Sequence, residues 1–415
     1  MIISEEAKAL HRDSLVMDIH CHPSLKVKLF EYRIYDEFHY LMGIQVKDSD
    51  SDEIGQMQYD LFKMFKGGVN SIWSSIYIVE KGLIDHSDKL SFGTWLAKIL
   101  GLYFTNIIEN PALGGPFKQS LNLMRRMEEQ ILESHLRPEA EKIKAYNPNG
   151  FSELVDHLNK NEKCILHSVE GAHMLGRNLA NSYDYINNLE TFFERGVCSM
   201  TLGHFMPNDI CFPINGISPQ TKKSLGFEYD YSVDQNNGLT NIGKDVVKRM
   251  LELGIIVDLN HVSPNGREDV YALNDSLAGN KRPLVFSHTG IRLNCPEKKN
   301  PTLEEIKKIQ ECGGVIGVIF MNYWLRNFEG EPDYGISNII KTIKDISIIC
   351  GGSYDNIAIG SDMDGFTQPV DDLYTSSQMQ RLTQGMLDEG ISPDNIKKVL
   401  GLNALRVLDM GWGKI

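Results

Sequence analysis

Seven residues of the types that bind divalent cations or carry protons stand at the ends of short apolar runs: His20, His22, Glu170, His204, His261, His288 and Asp362. His20 and His22 are spaced i, i+2 in the run Ser14–Pro23, so alternation along a strand sends both imidazoles to one face and Cys21 to the other, where it packs. The other five close the runs Cys164–Glu170, Val197–His204, Ile255–His261, Pro283–His288 and Asn356–Asp362. Alone, each is an ordinary hydrogen-bonded loop residue or helix cap. Together they form a pattern that core packing does not produce, because six independent segments end on a ligand type.

Five imidazoles and two carboxylates exceed what one tetrahedral ion uses. The set suits two divalent ions bridged by a carboxylate and a water, and imidazole favours zinc among the common metals. Such a pair makes hydroxide available at neutral pH, and one ion polarises the carbonyl under attack. A carboxylate beside that water takes its proton and passes it to a leaving amine. Asp362, in Ile359–Gly365, is the choice for this role. Asp364, two residues on, is either a second candidate or a turn residue before Gly365.

Positioning these groups requires strands that all end on one side. Two further runs, Val69–Val79 after the Gly67-Gly68 turn and Gly314–Phe320, bring the strand candidates to eight. Helical patterns fill the gaps at Asn187–Arg195, Asn241–Leu253, Thr302–Cys312, Ile339–Ile349, Ser376–Asp388 and Pro393–Leu408, and a further helical stretch covers Phe117–Glu128. Alternation of this kind predicts a parallel sheet, and eight units predict a closed (β/α)8 TIM-type barrel whose C-terminal strand ends carry the site. The chain is expected to be a single domain over residues 1–415, with insertions or a lid at about 24–60 and 80–149, between the first and third strands. No GxGxxG or phosphate-cradling Gly-Lys-Ser/Thr loop accompanies the strands.

Composition narrows the class further. Of the 415 residues, 42% are hydrophobic and 23% charged, an ordinary globular balance. A net charge of −13 argues against a nucleic-acid partner. No apolar run of membrane-spanning length occurs, so no membrane association is expected. The acidic, amphipathic N-terminus lacks the order of a signal peptide, and seven cysteines without a CxxC pair read as free thiols, which together favour the cytoplasm.

The motifs also carry a resemblance. Met17-Asp18-Ile19-His20, Gly67-Gly68, Val169-Glu170-Gly171-Ala172-His173, Thr201-Leu202-Gly203-His204 with Asn208, Asp258-Leu259-Asn260-His261-Val262-Ser263, Phe286-Ser287-His288-Thr289, Gly313-Gly314-Val315-Ile316-Gly317, Asp362-Met363-Asp364-Gly365 and Gly401–Val407 occur in this order. In order and content the chain resembles the renal, or membrane, dipeptidase family of zinc metallopeptidases over nearly its whole length. The resemblance implies that His20 binds a first metal, Glu170 bridges two, and His261 and His288 bind the second. It further implies that His204 contacts the substrate and the developing oxyanion, that Asp362 is the acid/base, that the substrate is a small dipeptide, and that the protein forms a homodimer.

Two positions depart from the family pattern. The family usually has Asp where this chain has His22, which makes the first metal site more positive by about one charge. Eleven residues beyond His288, where the family places Arg to hold the substrate carboxylate, stands Lys299, a point charge without the guanidinium fork; Arg292 is the alternative. His-x-His is the commoner form across the wider amidohydrolase group, so a hydrolase of cyclic amides, lactones or N-acyl amino acids is the first alternative, and a TatD-like metal-dependent deoxyribonuclease is another. A barrel that only binds a ligand is a third, opposed by the intact carboxylate set.

Overall fold

The apolar runs form strands in the computed structural model, which describes residues 1–36, 57–88, 108–136, 143–232, 234, 236–277, 279–326, 335–365 and 369–413, with the backbone of two short strands at His39–Leu41 and Ile44–Val46. The barrel strands are β1 (Met17–Cys21), β2 (Ser71–Ile76), β3 (Lys163–Glu170), β4 (Val197–Thr201), β5 (Ile256–Asp258), β6 (Val285–Thr289), β7 (Val315–Val318) and β8 (Ile357–Ile359). They lie parallel in the order β2-β1-β8-β7-β6-β5-β4-β3, and pairing of Ser71–Ile76 with Cys164–Val169 closes the circle. A two-residue strand, Ala145–Tyr146, adds to the start of β3.

Several helices run between the residues the periodicity predicts. Asn241–Leu253 starts at Thr240, whose hydroxyl accepts from Gly243 N at 2.9 Å, and stops at the left-handed Gly254. Leu303–Glu311 opens on a capping box between Thr302 and Glu305. Several helices differ from expectation, among them Leu61–Lys66, Phe151–Asn159 and Pro219–Leu225, which the periodicity did not mark. Pro23–Phe30, expected as loop, is a helix with Pro at its first position; it is buried on nearly every side, so it shows no amphipathic period. Pro264–Asp275 was not expected as a helix, because Ser263-Pro264-Asn265-Gly266 has turn composition although Ser263 caps Gly266 N at 3.1 Å. The closing helix also breaks, into Pro393–Lys397, a π turn at Lys398–Leu402, and Asn403–Gly411.

The core forms two layers of different purpose. Met17, Ile19, Trp73, Leu166, Val285 and Val315 fill the lower barrel interior and meet Ala404, Val407, Leu408 and Trp412 of the closing helix, which plugs the bottom. A larger cluster packs helices on the outside of the strands. Apolar filling below leaves the polar groups to the strand ends above. Of the expected insertions at 24–60 and 80–149, residues 37–38, 42–43, 47–56, 89–107 and 137–142 lie outside the described residues. The described part of the second includes the helix Gly115–Ser134, which extends the predicted Phe117–Glu128. All seven cysteines are free and buried. Among the described residues no helix is long and apolar enough to cross a membrane.

Candidate metal centre

All seven strand-end residues converge on one buried point. His20 Nε2 and His22 Nε2 lie 3.1 Å apart, as do His261 Nε2 and His288 Nε2. Glu170 sits between the two pairs: Oε1 is 3.4 Å from His20, 3.5 Å from His261 and 3.4 Å from His288, while Oε2 is 3.1 Å from His22 and 3.6 Å from His204. Asp362 Oδ1 lies 3.6 Å from His22 Nε2 and 3.9 Å from His20 Nε2. Two atoms that share an ion about 2.1 Å from each are separated by roughly 3.0–3.5 Å, so most of these spacings match joint ligation. Three ligand groups result: His20 with His22 and Asp362, His20 with Glu170 and His288, and Glu170 with His204 and His261.

Hydrogen bonds beneath the site decide which imidazole nitrogen is bare. Asp258 accepts from Thr201 Oγ1 and from Ser287 Oγ, both at 2.6 Å, and from the backbone N–H groups of Asn260 (3.1 Å) and Ser287 (3.0 Å). Its one proton committed to Asp258, Ser287 Oγ can only accept from the rings beside it, His288 Nδ1 at 2.9 Å and His20 Nδ1 at 3.2 Å. His288 therefore carries hydrogen on Nδ1 and presents its Nε2 lone pair to the centre, the form a metal ligand takes, while His20 Nδ1 lies 3.2 Å from both Ser287 Oγ and Ser75 Oγ. Gly317 and Gly360 make room for this arrangement: a Cβ on either would stand 2.0 or 1.7 Å from Ser287 O. Replacing Ser287 with Ala is expected to weaken metal binding about 10- to 100-fold, measured by competition with a chromogenic chelator, without loss of folded protein.

The loops add strain and charge. His261 and Asp362 both have left-handed backbones, φ 60° and 59°, which costs a non-glycine residue about 1–2 kcal/mol. Backbone bonds hold each in place, His261 O accepting from Ile214 N at 2.8 Å and Asp362 N donating to His20 O at 2.9 Å. Burial, with the Lys299 charge, pushes His261 down to about 3, and burial with His20 drives His288 well below the ordinary imidazole range. Neutral rings are the ligand form. Burial opposes the Glu170 charge, yet His204, His20 and His22 outweigh it and hold the carboxyl well below its usual value. Asp362 behaves differently: burial, only partly offset by His22 and His20, leaves it raised. Two neighbouring carboxyls pushed in opposite directions suit a ligand and an acid/base.

The sequence matches that of the membrane dipeptidase family, peptidase family M19, over residues 4–410. The chain belongs to this family. The dipeptidase tcpJ of Claviceps purpurea (strain 20.1) is 30% identical over 247 residues, 59% of this chain; the match spans about half, 51%, of the Claviceps protein. Two solved structures share the fold. One, a metallopeptidase of family M19 called dipeptidase AC, has a TM-score of 0.69 at 19% identity and covers 97% of this chain and 99% of its own. The other, a metallopeptidase from Rhodobacter sphaeroides with a phosphinate mimic of L-Ala-D-Ala, has a TM-score of 0.69 at 20% identity, covering 96% and 100%.

One residue of this M19 site was not anticipated from the sequence. Glu80, fully buried, accepts from the Tyr77 hydroxyl and from Phe205 N (2.9 Å), and its Oε1 lies 3.3 Å from His204 Nδ1. Burial works against this charge, but His204, His173 and Tyr77 outweigh it and hold the carboxyl well below the usual range. Glu80 thereby turns His204 Nε2 toward Glu170. It occupies the N-cap position of Lys81–Asp85 without making a cap hydrogen bond, so its position looks like an ordinary helix start while its side chain faces inward.

The substrate-binding candidates separate in space. Lys299 is 2% exposed and its ammonium lies 4.7 Å from the centre of the Trp324 ring, with no ion pair among the described residues. Burial lowers it to about 8, with Asp362, Glu170 and Asp258 opposing the fall. Arg292 turns to backbone, donating to Asn300 O at 3.2 Å and Lys298 O at 3.0 Å. Asp364 accepts from Gln58 N (2.8 Å) and Tyr59 N (2.9 Å), and so ties the end of the first insertion to the β8 loop, in keeping with its turn reading.

Proposed function

We propose that this protein is a metal-dependent dipeptidase, a single catalytic barrel that hydrolyses small dipeptides with two divalent ions, zinc by the preference of imidazole. The observation that carries this reading is the convergence of four imidazole Nε2 atoms on the two oxygens of Glu170 in an M19 chain. His20 with His22 would hold the first ion, His261 with His288 the second, and Glu170 both. Ions held there would supply Lewis acidity, lowering the pKa of a water and polarising a scissile carbonyl.

The rest is done by side chains. Asp362, whose raised pKa brings it nearer to neutral pH, takes the proton of the attacking water and returns it to the leaving amine. His204, aimed by Glu80, meets the oxyanion. Lys299 pairs with the substrate carboxylate as a point charge, while Arg292 is occupied elsewhere. Buried free thiols fit a reducing compartment, the cytoplasm in this reading.

The phosphinate mimic held by the Rhodobacter sphaeroides neighbour makes L-Ala-D-Ala the first substrate to assay, beside L-L dipeptides. Lys299→Met is expected to lower kcat/KM for dipeptides about 10- to 100-fold, the worth of a charged hydrogen bond, and to leave C-terminally amidated dipeptides unaffected. Equal losses on both substrates would contradict the carboxylate role. The grouping of His20, His22 and Asp362 favours one second reading, an amidohydrolase acting on a cyclic amide, lactone or N-acyl amino acid. Turnover of such compounds without dipeptide turnover would select it.

A further inference from the structure

At the opposite end of the barrel, beside the starts of β2 and β3, the chain collects positive charge. A recess of about 610 Å³ is lined by Lys8, Arg12, Lys66, Lys144, Lys160 and Lys163. Its one carboxylate, Glu162, is already engaged by His157 Nδ1 at 2.6 Å. Lys8 pairs with Glu5 at 2.7 Å and Arg12 with Asp13 at 3.6 Å, whereas Lys66, Lys144, Lys160 and Lys163 have no ion pair among the described residues.

Helix ends account for part of this. Lys66 closes the helix Leu61–Lys66 and Lys160 caps Phe151–Asn159, positions where the helix dipole favours a cation. Lys144 and Lys163 have no such reason, since they stand beside and within paired strands. Lys163 is only 8% exposed, so its stem is enclosed while it lines the recess. Burial brings it to about 8, which leaves it protonated at neutral pH. Clustering cations this way is unfavourable by itself, and it is unexpected in a chain of net charge −13.

We propose that this recess binds a small anion carrying two phosphoryl groups. Each phosphoryl group brings about −1.5 to −2 charges near neutral pH, so two match four unpaired lysines where one does not. The volume lies in the range of small-molecule sites. Lys163 and Glu170 are the two ends of β3, roughly 23 Å apart at strand rise, so an anion here is remote from the metal centre and independent of the dipeptidase reading.

Calorimetric titration of the metal-loaded enzyme with fructose 1,6-bisphosphate, and separately with inorganic phosphate, tests this. The bisphosphate is expected to bind at least tenfold more tightly than phosphate, and more weakly as salt is added. Charge reversal at two exposed lysines, K66E/K160E, is expected to weaken it at least tenfold with hydrolytic activity and metal content unchanged. No heat at millimolar bisphosphate would overturn the proposal. So would unchanged affinity in the double variant, which would assign the anion to the metal centre.

Discussion

Glu170→Gln is expected to cause the largest single loss, a fall in kcat/KM of about a thousandfold or more together with loss of bound metal. Among the described residues the side chain is the one group within 3.6 Å of five imidazoles, so its carboxylate faces both candidate ion positions. Gln keeps the shape and one acceptor oxygen but loses the charge that would offset the two proposed dications, and several kcal/mol of transition-state stabilisation would go with them. Metal analysis of the purified variant, alongside its activity, checks this. Full metal occupancy with full activity would show that the carboxylate does not bridge.

Asp362→Asn is expected to separate chemistry from metal binding. Asn is isosteric and cannot exchange a proton, so kcat should fall about 10²- to 10⁴-fold while KM changes little. Its Oδ1 is 3.6 Å or more from the nearest imidazole nitrogen, compared with 3.1 Å for Glu170 Oε2 and His22, so metal content should fall less than in Glu170→Gln. The raised pKa of Asp362 gives the wild-type rate an acid limb, with activity lost as the pH drops through that pKa and the base becomes protonated. The variant should lose that limb. A variant that keeps kcat but sheds one ion would make Asp362 a ligand instead of the proton carrier.

The barrel and its gathering of histidines and carboxylates were legible because strand period and residue position are local properties. His20 lies in β1 and His22 one residue past its end, at the N-cap of Pro23–Phe30, and their i, i+2 spacing still brings the two Nε2 atoms together; the glycine after Asn241–Leu253 stops that helix. What stayed hidden depends on contacts between distant segments. Ser287 is visible as the residue before His288, but its role follows from Asp258 on the neighbouring strand and His20 across the barrel. Glu80 reads as a helix cap until His204, 124 residues away, is placed beside it. Lys299 and Arg292 are seven residues apart in one polar loop, and only the fold shows that one ammonium lies over the Trp324 ring without an ion pair among the described residues while the other cation is spent on backbone carbonyls.

Titrating metal-stripped protein with zinc while following bound metal and L-Ala-D-Ala hydrolysis together tests the central claim most directly. Activity is expected to rise with the metal and reach its plateau at two ions per chain. A plateau at one ion, or two bound ions with no turnover of L-D or L-L dipeptides, would contradict it.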